Sequence, residues 1–409
     1  SLRAGLDKSN KRIRDAAAWA YNEAGNLLLE KARSSGSHEI DKLLDDACER
    51  YAVALQLKPN MDVALNNWAN ALLEKARREL GDSADALFRA ANEKYEASLA
   101  ARPGDSEKLA NWGAMLAQWA KRKQGADANH LFFAATEKFA QSVAIQKSAS
   151  ALLNWADALT YWGKAKDAVE KIKYFELATE KCKEALALDP GFAVAANNLA
   201  LLALATGDAK EAARRIDAAV AARPAYPAAH VNAAYIRAVL GDFDRALESA
   251  REAARLDPDG AEAQLAIAGV LGQRGVAAAT TGGDASADFA AAERAYGDAL
   301  LRDPGNVMAE AGVAQLHALR QDHEAAVAVY ERIAARGEPP PVVLAAWAAS
   351  LVELGDRDAA AEKLRALLCA RGAPASGFAR GALEQARASG LALARQAGLC
   401  GALPGACGC

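Results

Sequence analysis

The side chains that most often perform catalysis or bind metal ions are few in this sequence and lack the spacing of such sites. None of the five histidines forms a metal-spaced pair with a carboxylate or a cysteine. Gly163-Lys164 lacks the upstream glycines of a phosphate-binding loop. Cys400, Cys407 and Cys409, together with Cys369, could bind a soft metal or form a redox pair, but their spacing matches no known zinc site. We therefore expect no enzyme activity, no cofactor and no metal site.

Amide side chains, in contrast, recur at a regular spacing. Prolines end successive segments of 34 or 43–44 residues, with Gln146 in the place of one proline; the first five of these positions are Pro59, Pro103, Gln146, Pro190 and Pro224. The eighth residue after each of these five positions is an asparagine, and together they form the asparagine column: Asn67, Asn111, Asn154, Asn198 and Asn232. Asparagine is a mediocre helix former, so helix propensity does not explain the column.

Two interpretations of the asparagine column stay open. An amide offers two donors and an acceptor, so it can pair with the backbone of an extended peptide of any sequence. Alternatively, the amides hydrogen-bond neighbouring helices and hold the repeats together. Asn66, Asn70 and Asn197 share or border the same helix face. Tyr235, three residues after Asn232, adds an aromatic contact to the predicted binding surface.

Tryptophans and basic residues follow the same spacing. Trp68, Trp112 and Trp155 come directly after asparagines of the column, and we expect them to pack between paired helices. Basic residues follow at the ends of the same helices and form a predicted basic edge: Lys75, Arg77, Arg78, Lys121, Arg122, Lys123, Lys164 and Lys166. These cations either stabilise helix C-termini or provide a docking strip for an acidic protein, a nucleic acid or a lipid surface.

The composition predicts an all-helical protein. Hydrophobic residues make up 52% of the 409 residues but aromatic residues only 6%, because alanine is abundant. The net charge of −3 gives no general attraction to nucleic acid, and no apolar run is long enough for a transmembrane helix. The few cysteines favour a reducing intracellular compartment, the cytosol or an organelle interior. The chain begins with Ser1, which leaves open that a targeting segment has been removed.

The elements that position these residues are repeated helix pairs. Residues 192–224 and 225–258 each predict two amphipathic helices, and their turns, Gly207-Asp208 and Gly241-Asp242, lie 34 residues apart. Each unit carries small residues where its two helices meet. Position by position these units resemble the tetratricopeptide repeat (TPR) family, at Leu199, Ala200, Ala212, Ile216, Ala219 and Pro224 and at Ala233, Ala234, Ala246, Ala250, Ala253 and Pro258.

The resemblance implies an all-α, right-handed α-solenoid of about eight TPR-like helix pairs, with lengthened early pairs and a C-terminal capping helix. It also implies that the asparagine column faces a concave groove, because several peptide-binding members have an asparagine ladder there. The carboxylate clamp of one TPR subtype is not supported, since no lysine lies beside Asn198. The predicted segments are an N-terminal basic segment at 1–15, extended repeats of about 43–44 residues at 16–190, further repeats at 191–370, the capping helix at 371–398 and a Cys/Gly tail at 399–409.

The function predicted from these features is a non-catalytic protein–protein interaction scaffold or adaptor. It would hold an extended partner segment in the concave groove, with one or more proteins as partners, no small-molecule substrate and no transmembrane segment. One alternative is a permanently bound structural or assembly subunit of a larger complex, for example in an organelle. The other is a helical-repeat RNA-binding protein, which the net charge of −3 disfavours.

Overall fold

The computed structural model describes residues 2–34, 39–369 and 377–400. Within these ranges, all regular secondary structure is α-helical. The helices, in chain order, are α1 (Leu2–Ser34), α2 (Ile40–Leu57), α3 (Asp62–Arg78), α4 (Gly81–Ala101), α5 (Ser106–Ala120), α6 (Gly125–Ile145), α7 (Ala149–Lys164), α8 (Ala168–Leu188), α9 (Ala193–Ala205), α10 (Ala209–Ala222), α11 (Pro227–Val239), α12 (Phe243–Leu256), α13 (Ala261–Thr280), α14 (Ser286–Arg302), α15 (Val307–Leu319), α16 (His323–Ala334), α17 (Pro341–Glu353), α18 (Arg357–Cys369) and α19 (Gly377–Gln396).

The helices pack as successive hairpins in two compact units, Ser1–Trp162 and Gly163–Cys409. The first unit contains the pairs α1/α2, α3/α4 and α5/α6, and it ends within α7. The second unit begins there, continues with α8 and contains five further pairs, from α9/α10 to α17/α18. Each pair also contacts the next pair of its unit, which is the arrangement of an α-solenoid. The expectation of about eight helix pairs is thus confirmed for the described residues.

The turns within the pairs have the predicted chemistry. Gly207 and Gly241 adopt left-handed backbone conformations, with φ of 89° and 78°. Asp208 then caps α10, where its carboxylate accepts a hydrogen bond from the backbone N–H of Glu211 at 2.9 Å. The equivalent turn before α16 has Gln321 in the glycine position at a φ of 65°, a conformation that costs a residue with a Cβ free energy.

Small residues fill the contacts between paired helices, as the TPR resemblance implies. Ala200 of α9 is fully buried against Ala212 and Ile216 of α10. Alanine lets two helices approach closely, and it has the best helix propensity of all residues. At the C-terminal end, α19 contacts α17 and α18, where Ala394 joins the core formed by Leu364 and neighbouring apolar residues.

The early pairs are longer than most of the later ones, mainly in their second helices, while α13/α14 is a long later pair with 20 and 17 residues. Helices α4 and α6 have 21 residues each, whereas α10 and α12 have 14. Helix α1 begins at Leu2, so it includes most of the segment expected at residues 1–15.

The first helices of successive pairs contact one another and form the inner layer of each unit. This contact joins α1 to α3 in the first unit, and it joins α9, α11, α13, α15 and α17 in series in the second unit. Within the described chain, no two second helices come into comparable contact. The asparagine column lies on the first helices α3, α5, α7, α9 and α11, and of these α3, α9 and α11 take part in the inner-layer contacts.

Candidate functional site

A buried tyrosine of the second helix fixes one asparagine in each of the first two pairs. Tyr51 of α2 donates its hydroxyl hydrogen bond to Oδ1 of Asn26 at 2.9 Å, and Tyr95 of α4 donates to Oδ1 of Asn70. Both tyrosines are fully buried, and burial raises the pKa of Tyr95 well above its ordinary value. Asn70, which was predicted to border the groove, therefore accepts a hydrogen bond from the second helix of its own pair.

The third pair has the apolar version of the same contact. Phe139 and Ala114 lie at the positions of Tyr95 and Asn70, each 44 residues further along the chain. Phe139 is fully buried like Tyr95. The third pair therefore lacks both the hydroxyl donor and the amide acceptor, and apolar groups fill the two positions. The tyrosine–asparagine contact is therefore a feature of core packing and contributes no groove surface.

The first asparagine of the column binds the neighbouring helix pair. Nδ2 of Asn67 donates to Oδ1 of Asn22 at 3.2 Å and to Oδ1 of Asn26 at 2.9 Å, which joins α3 to α1. Nδ2 of Asn66 points to Oδ1 of Asn67 at 3.4 Å. These amides hold two successive pairs together, which is the structural alternative considered for the column.

The second unit contains a similar amide chain. Nδ2 of Asn232 on α11 donates to Oδ1 of Asn197 on α9 at 2.8 Å, and Asn197 in turn donates to Asn198 at 3.4 Å. Asn197 is only 4% exposed, so the prediction that it lies on an open groove surface is wrong. The reason is that α9 and α11 pack closely enough to bury the amide between them.

Two members of the asparagine column keep their amides available for a partner. Asn111 on α5 is half-buried and Asn154 on α7 is exposed, and neither side chain hydrogen-bonds another described residue. Both lie in the first unit. In the second unit, Tyr235 is 53% exposed, and Leu201 lies at the same position one repeat earlier and is also exposed.

The tryptophans that follow the asparagines pack between helices, as predicted, and lysines of the paired second helices cover them. Nε1 of Trp112 donates to Oδ1 of Asn92 on α4 at 2.8 Å, while Nζ of Lys138 on α6 lies 4.1 Å from the ring centre. Lys94 covers Trp68 in the same way at 4.3 Å. The sequence did not indicate this recurring tryptophan–lysine contact, although both lysines lie 26 residues after their tryptophans.

Most residues of the predicted basic edge contact carboxylates or carbonyl oxygens of neighbouring residues. Lys75 pairs with Asp45, and Arg78 donates to Asp41 at 2.6 Å, so both cations meet carboxylates of α2. The hydrogen bond from Arg78 holds the pKa of Asp41 below its ordinary value. Arg122 donates to the backbone oxygen of Glu79 at 2.6 Å.

The remaining members of the basic edge have similar surroundings. Arg77 contacts Glu74 and Gln118, Lys123 pairs with Asp85, Lys121 lies over the ring of Tyr161, Lys166 lies 3.8 Å from Glu170, and Lys164 is half-buried. Because most of these cations meet a carboxylate or a carbonyl oxygen, the basic edge mainly joins helices. It is a poor docking strip for an anionic partner.

The groups considered for chemistry do not assemble a site in the described chain. No group of three histidine, cysteine or carboxylate side chains in these residues could hold a metal ion. Cys48 and Cys182 form no disulfide and Cys400 is disulfide-bonded, while the side chain of Cys369 and the residues Cys407 and Cys409 lie outside the described part of the chain. No described helix is both long and apolar enough to cross a membrane.

Helix hairpins packed in series around an alanine-rich core define the class of helical-repeat scaffold proteins. A family model described as tetratricopeptide repeat matches residues 197–261, 231–277 and 284–339, and over this region the chain belongs to the tetratricopeptide repeat family. A second model, described as plant specific mitochondrial import receptor subunit TOM20, matches residues 84–216. No curated protein matches the chain.

Solved structures of helical-repeat proteins resemble the chain at low sequence identity. Yeast Tom70 is 15% identical, with 84% of this chain and 97% of that chain covered and a TM-score of 0.40. PilF of Pseudomonas aeruginosa is 17% identical, with 61% and 96% covered and a TM-score of 0.43. A tetratricopeptide repeat protein from Parabacteroides merdae is 13% identical, with 79% and 98% covered and a TM-score of 0.45. Similarities of this size carry no argument about function.

Proposed function

We propose that this chain is a non-catalytic protein–protein interaction adaptor that holds an extended partner segment against its first helices. The observation that supports this most directly is the state of Asn111 and Asn154. Their amides have no hydrogen-bond partner in the described chain, whereas Asn67 and Asn232 are used between helices. An open amide can donate to a backbone carbonyl and accept from a backbone N–H, so it binds extended peptides with little dependence on sequence.

The first helices of the second unit offer a different contribution to binding. Helix α9 carries no charged residue, and exposed Leu201, Tyr235 and Val239 lie on the inner layer of α9 and α11. A partner that contacts this surface gains mainly from the burial of apolar area. Its binding there should therefore depend only weakly on salt.

The match of residues 84–216 to the TOM20 model supports a narrower proposal. Within the adaptor class, the chain would act as a receptor in mitochondrial protein import, and its partners would be proteins on their way into the organelle. A permanently bound subunit of a larger complex is the competing proposal. The two differ in whether the chain is isolated with many partners in small amounts or with one fixed set.

The first experiment tests the open amides. We expect the double variant Asn111→Ala and Asn154→Ala to lose partner proteins in native isolation quantified by mass spectrometry. Each amide hydrogen bond contributes about 1 kcal/mol net, so both together should weaken binding by a factor of roughly ten to thirty. Helix content and melting should not change, because neither amide is bonded within the described chain.

A matched control removes two exposed amides from second helices, in the variant Gln56→Ala with Gln141→Ala. This control should keep its partners. Equal loss of partners in both double variants would contradict the proposal, as would unfolding of the asparagine variant. The latter result would show that these amides hold the repeats together.

The second experiment tests the import receptor. Purified chain added to isolated mitochondria should compete for precursor proteins and slow their import, and the Asn111→Ala, Asn154→Ala variant should compete less. If import is unaffected and native isolation returns one stoichiometric set of companions, the chain is a structural subunit instead.

A further inference from the structure

A cavity of about 410 Å³ lies between α16, α17 and α18 in the second unit. Trp347 and Leu351 of α17 contribute apolar surface to the lining. The charged residues of the lining are Glu324, Glu331, Asp356 and Lys363. The cavity is lined by the first helix α17 and the second helices α16 and α18, none of which carries an asparagine of the column.

The charge of this cavity is unbalanced. Glu324 and Glu331 lie seven residues apart, on one face of α16. Neither carboxylate forms an ion pair or a hydrogen bond with another described residue. Asp356 accepts a hydrogen bond only from the backbone N–H of Ala359, at 3.1 Å. Lys363 is the single cation of the lining, and it is bound to Glu362 at 2.8 Å.

Trp347 adds an unpaired hydrogen-bond donor to this part of the fold. Trp347 lies eight residues before the turn glycine Gly355, just as Leu199 lies eight residues before Gly207. Trp112 directly follows Asn111 as Leu199 follows Asn198, so Trp347 is the counterpart of Trp112. Its side chain is only 6% exposed and forms part of the cavity lining, but its buried Nε1–H has no acceptor in the described chain. Trp112 has such an acceptor in Asn92, whereas α16 presents Val327 to this cavity.

We propose that this cavity binds a lysine or arginine side chain from an extended segment of a partner protein. The cationic end would lie between Glu324, Glu331 and Asp356, where it supplies the positive charge that the lining lacks. The aliphatic part of a basic side chain is apolar and suits the surface of Leu351 and Trp347. A backbone carbonyl of the same segment can accept the hydrogen bond of the Trp347 indole once the side chains that bury Nε1 shift.

The test uses the full chain and a terminally blocked pentapeptide with arginine at its centre and glycine or alanine elsewhere. The comparison peptide has citrulline, a neutral isostere, in place of arginine. Binding is followed at low salt through the indole N–H signal of Trp347 in nitrogen-15 NMR spectra, which is assigned by its absence in Trp347→Phe. We expect the arginine peptide to shift this signal and the citrulline peptide to leave it in place.

Carboxylate variants test the role of charge. A partly exposed ion pair corresponds to a factor of up to about fivefold in affinity, so Glu324→Gln with Glu331→Gln should raise the Kd by about tenfold. Glu248→Gln on α12 removes an exposed carboxylate outside the cavity and should leave the Kd unchanged. Equal shifts with both peptides, no shift with either, or equal Kd values in the double variant and the control would overturn the proposal. Melting curves of the carboxylate variants should coincide, because Glu324 and Glu331 have no partner within the described chain.

Discussion

The contact between Tyr95 and Asn70 makes a quantitative prediction, because the third pair shows its apolar replacement. Asn70→Ala leaves the fully buried Tyr95 hydroxyl without an acceptor, which should destabilise the second pair by about 1–3 kcal/mol. Tyr95→Phe should cost less, about 1 kcal/mol, because the half-buried Asn70 amide can still bind water. The double variant reproduces Phe139 with Ala114 and should be close to the original protein in stability.

The two single costs add to about 2–4 kcal/mol while the double variant costs almost nothing, so the expected coupling free energy between the two positions is about 2–4 kcal/mol. A long repeat array need not unfold in one step, so the assay is hydrogen exchange of the amides of α3 and α4 in the full chain. The reciprocal variant is a control. Phe139→Tyr alone should destabilise α5 and α6, and Ala114→Asn should restore them. If the two single effects simply add in the double variant, the hydrogen bond does not stabilise the pair and the reasoning fails.

Two further predictions concern stability. Gln321 adopts a φ of 65° at the turn position where the pairs α9/α10, α11/α12 and α17/α18 have glycine. Gln321→Gly should therefore raise the free energy of unfolding of the α15/α16 pair by up to about 1 kcal/mol in hydrogen exchange, whereas Gly241→Ala should lower that of α11/α12. Burial raises the pKa of Tyr330 to about 12, above about 10 in the unfolded chain, so its contribution to stability is complete below pH 10 and is lost as the pH rises to 12. Thermal melting over this range should therefore fall less steeply in Tyr330→Phe, by up to about 1.4 kcal/mol per pH unit, and parallel curves would contradict the assignment.

The sequence allowed the repeats to be predicted because their signals are local. Gly207 and Asp208 specify a turn and a helix cap through their own backbone and side-chain chemistry, and the fully buried alanines follow from the spacing of the two helices. The position of the asparagine column was equally clear from the prolines. None of these predictions required knowledge of which residue lies opposite another.

The state of each amide could not be predicted, because it depends on what the neighbouring helix presents. Asn67 meets Asn22 and Asn26 of α1, whereas Asn111 meets no such group. For the same reason, the sequence left open whether the basic edge stabilises helix C-termini or forms a docking strip, although its partners Asp41 and Asp45 of α2 were present in the sequence. The repeated distance of 25 residues between Asn26 and Tyr51 and between Asn70 and Tyr95 was a usable signal for one of these contacts.

The difference in length between the second helices also constrains how such a chain can change. Helices α4 and α6 exceed α10 and α12 by seven residues, from 21 to 14. Seven residues rotate an α-helix by about 700°, which is within about 20° of two complete turns. An insertion of this size lengthens a helix by about 10 Å and leaves every residue after it facing the same way. An insertion of five residues would misdirect the remaining side chains by about 140°. The second helices of this chain can therefore lengthen only in whole turns if the side chains are to keep their direction. A chimaera whose α6 is shortened by seven residues should keep its packing, whereas one whose α6 is shortened by five residues should not.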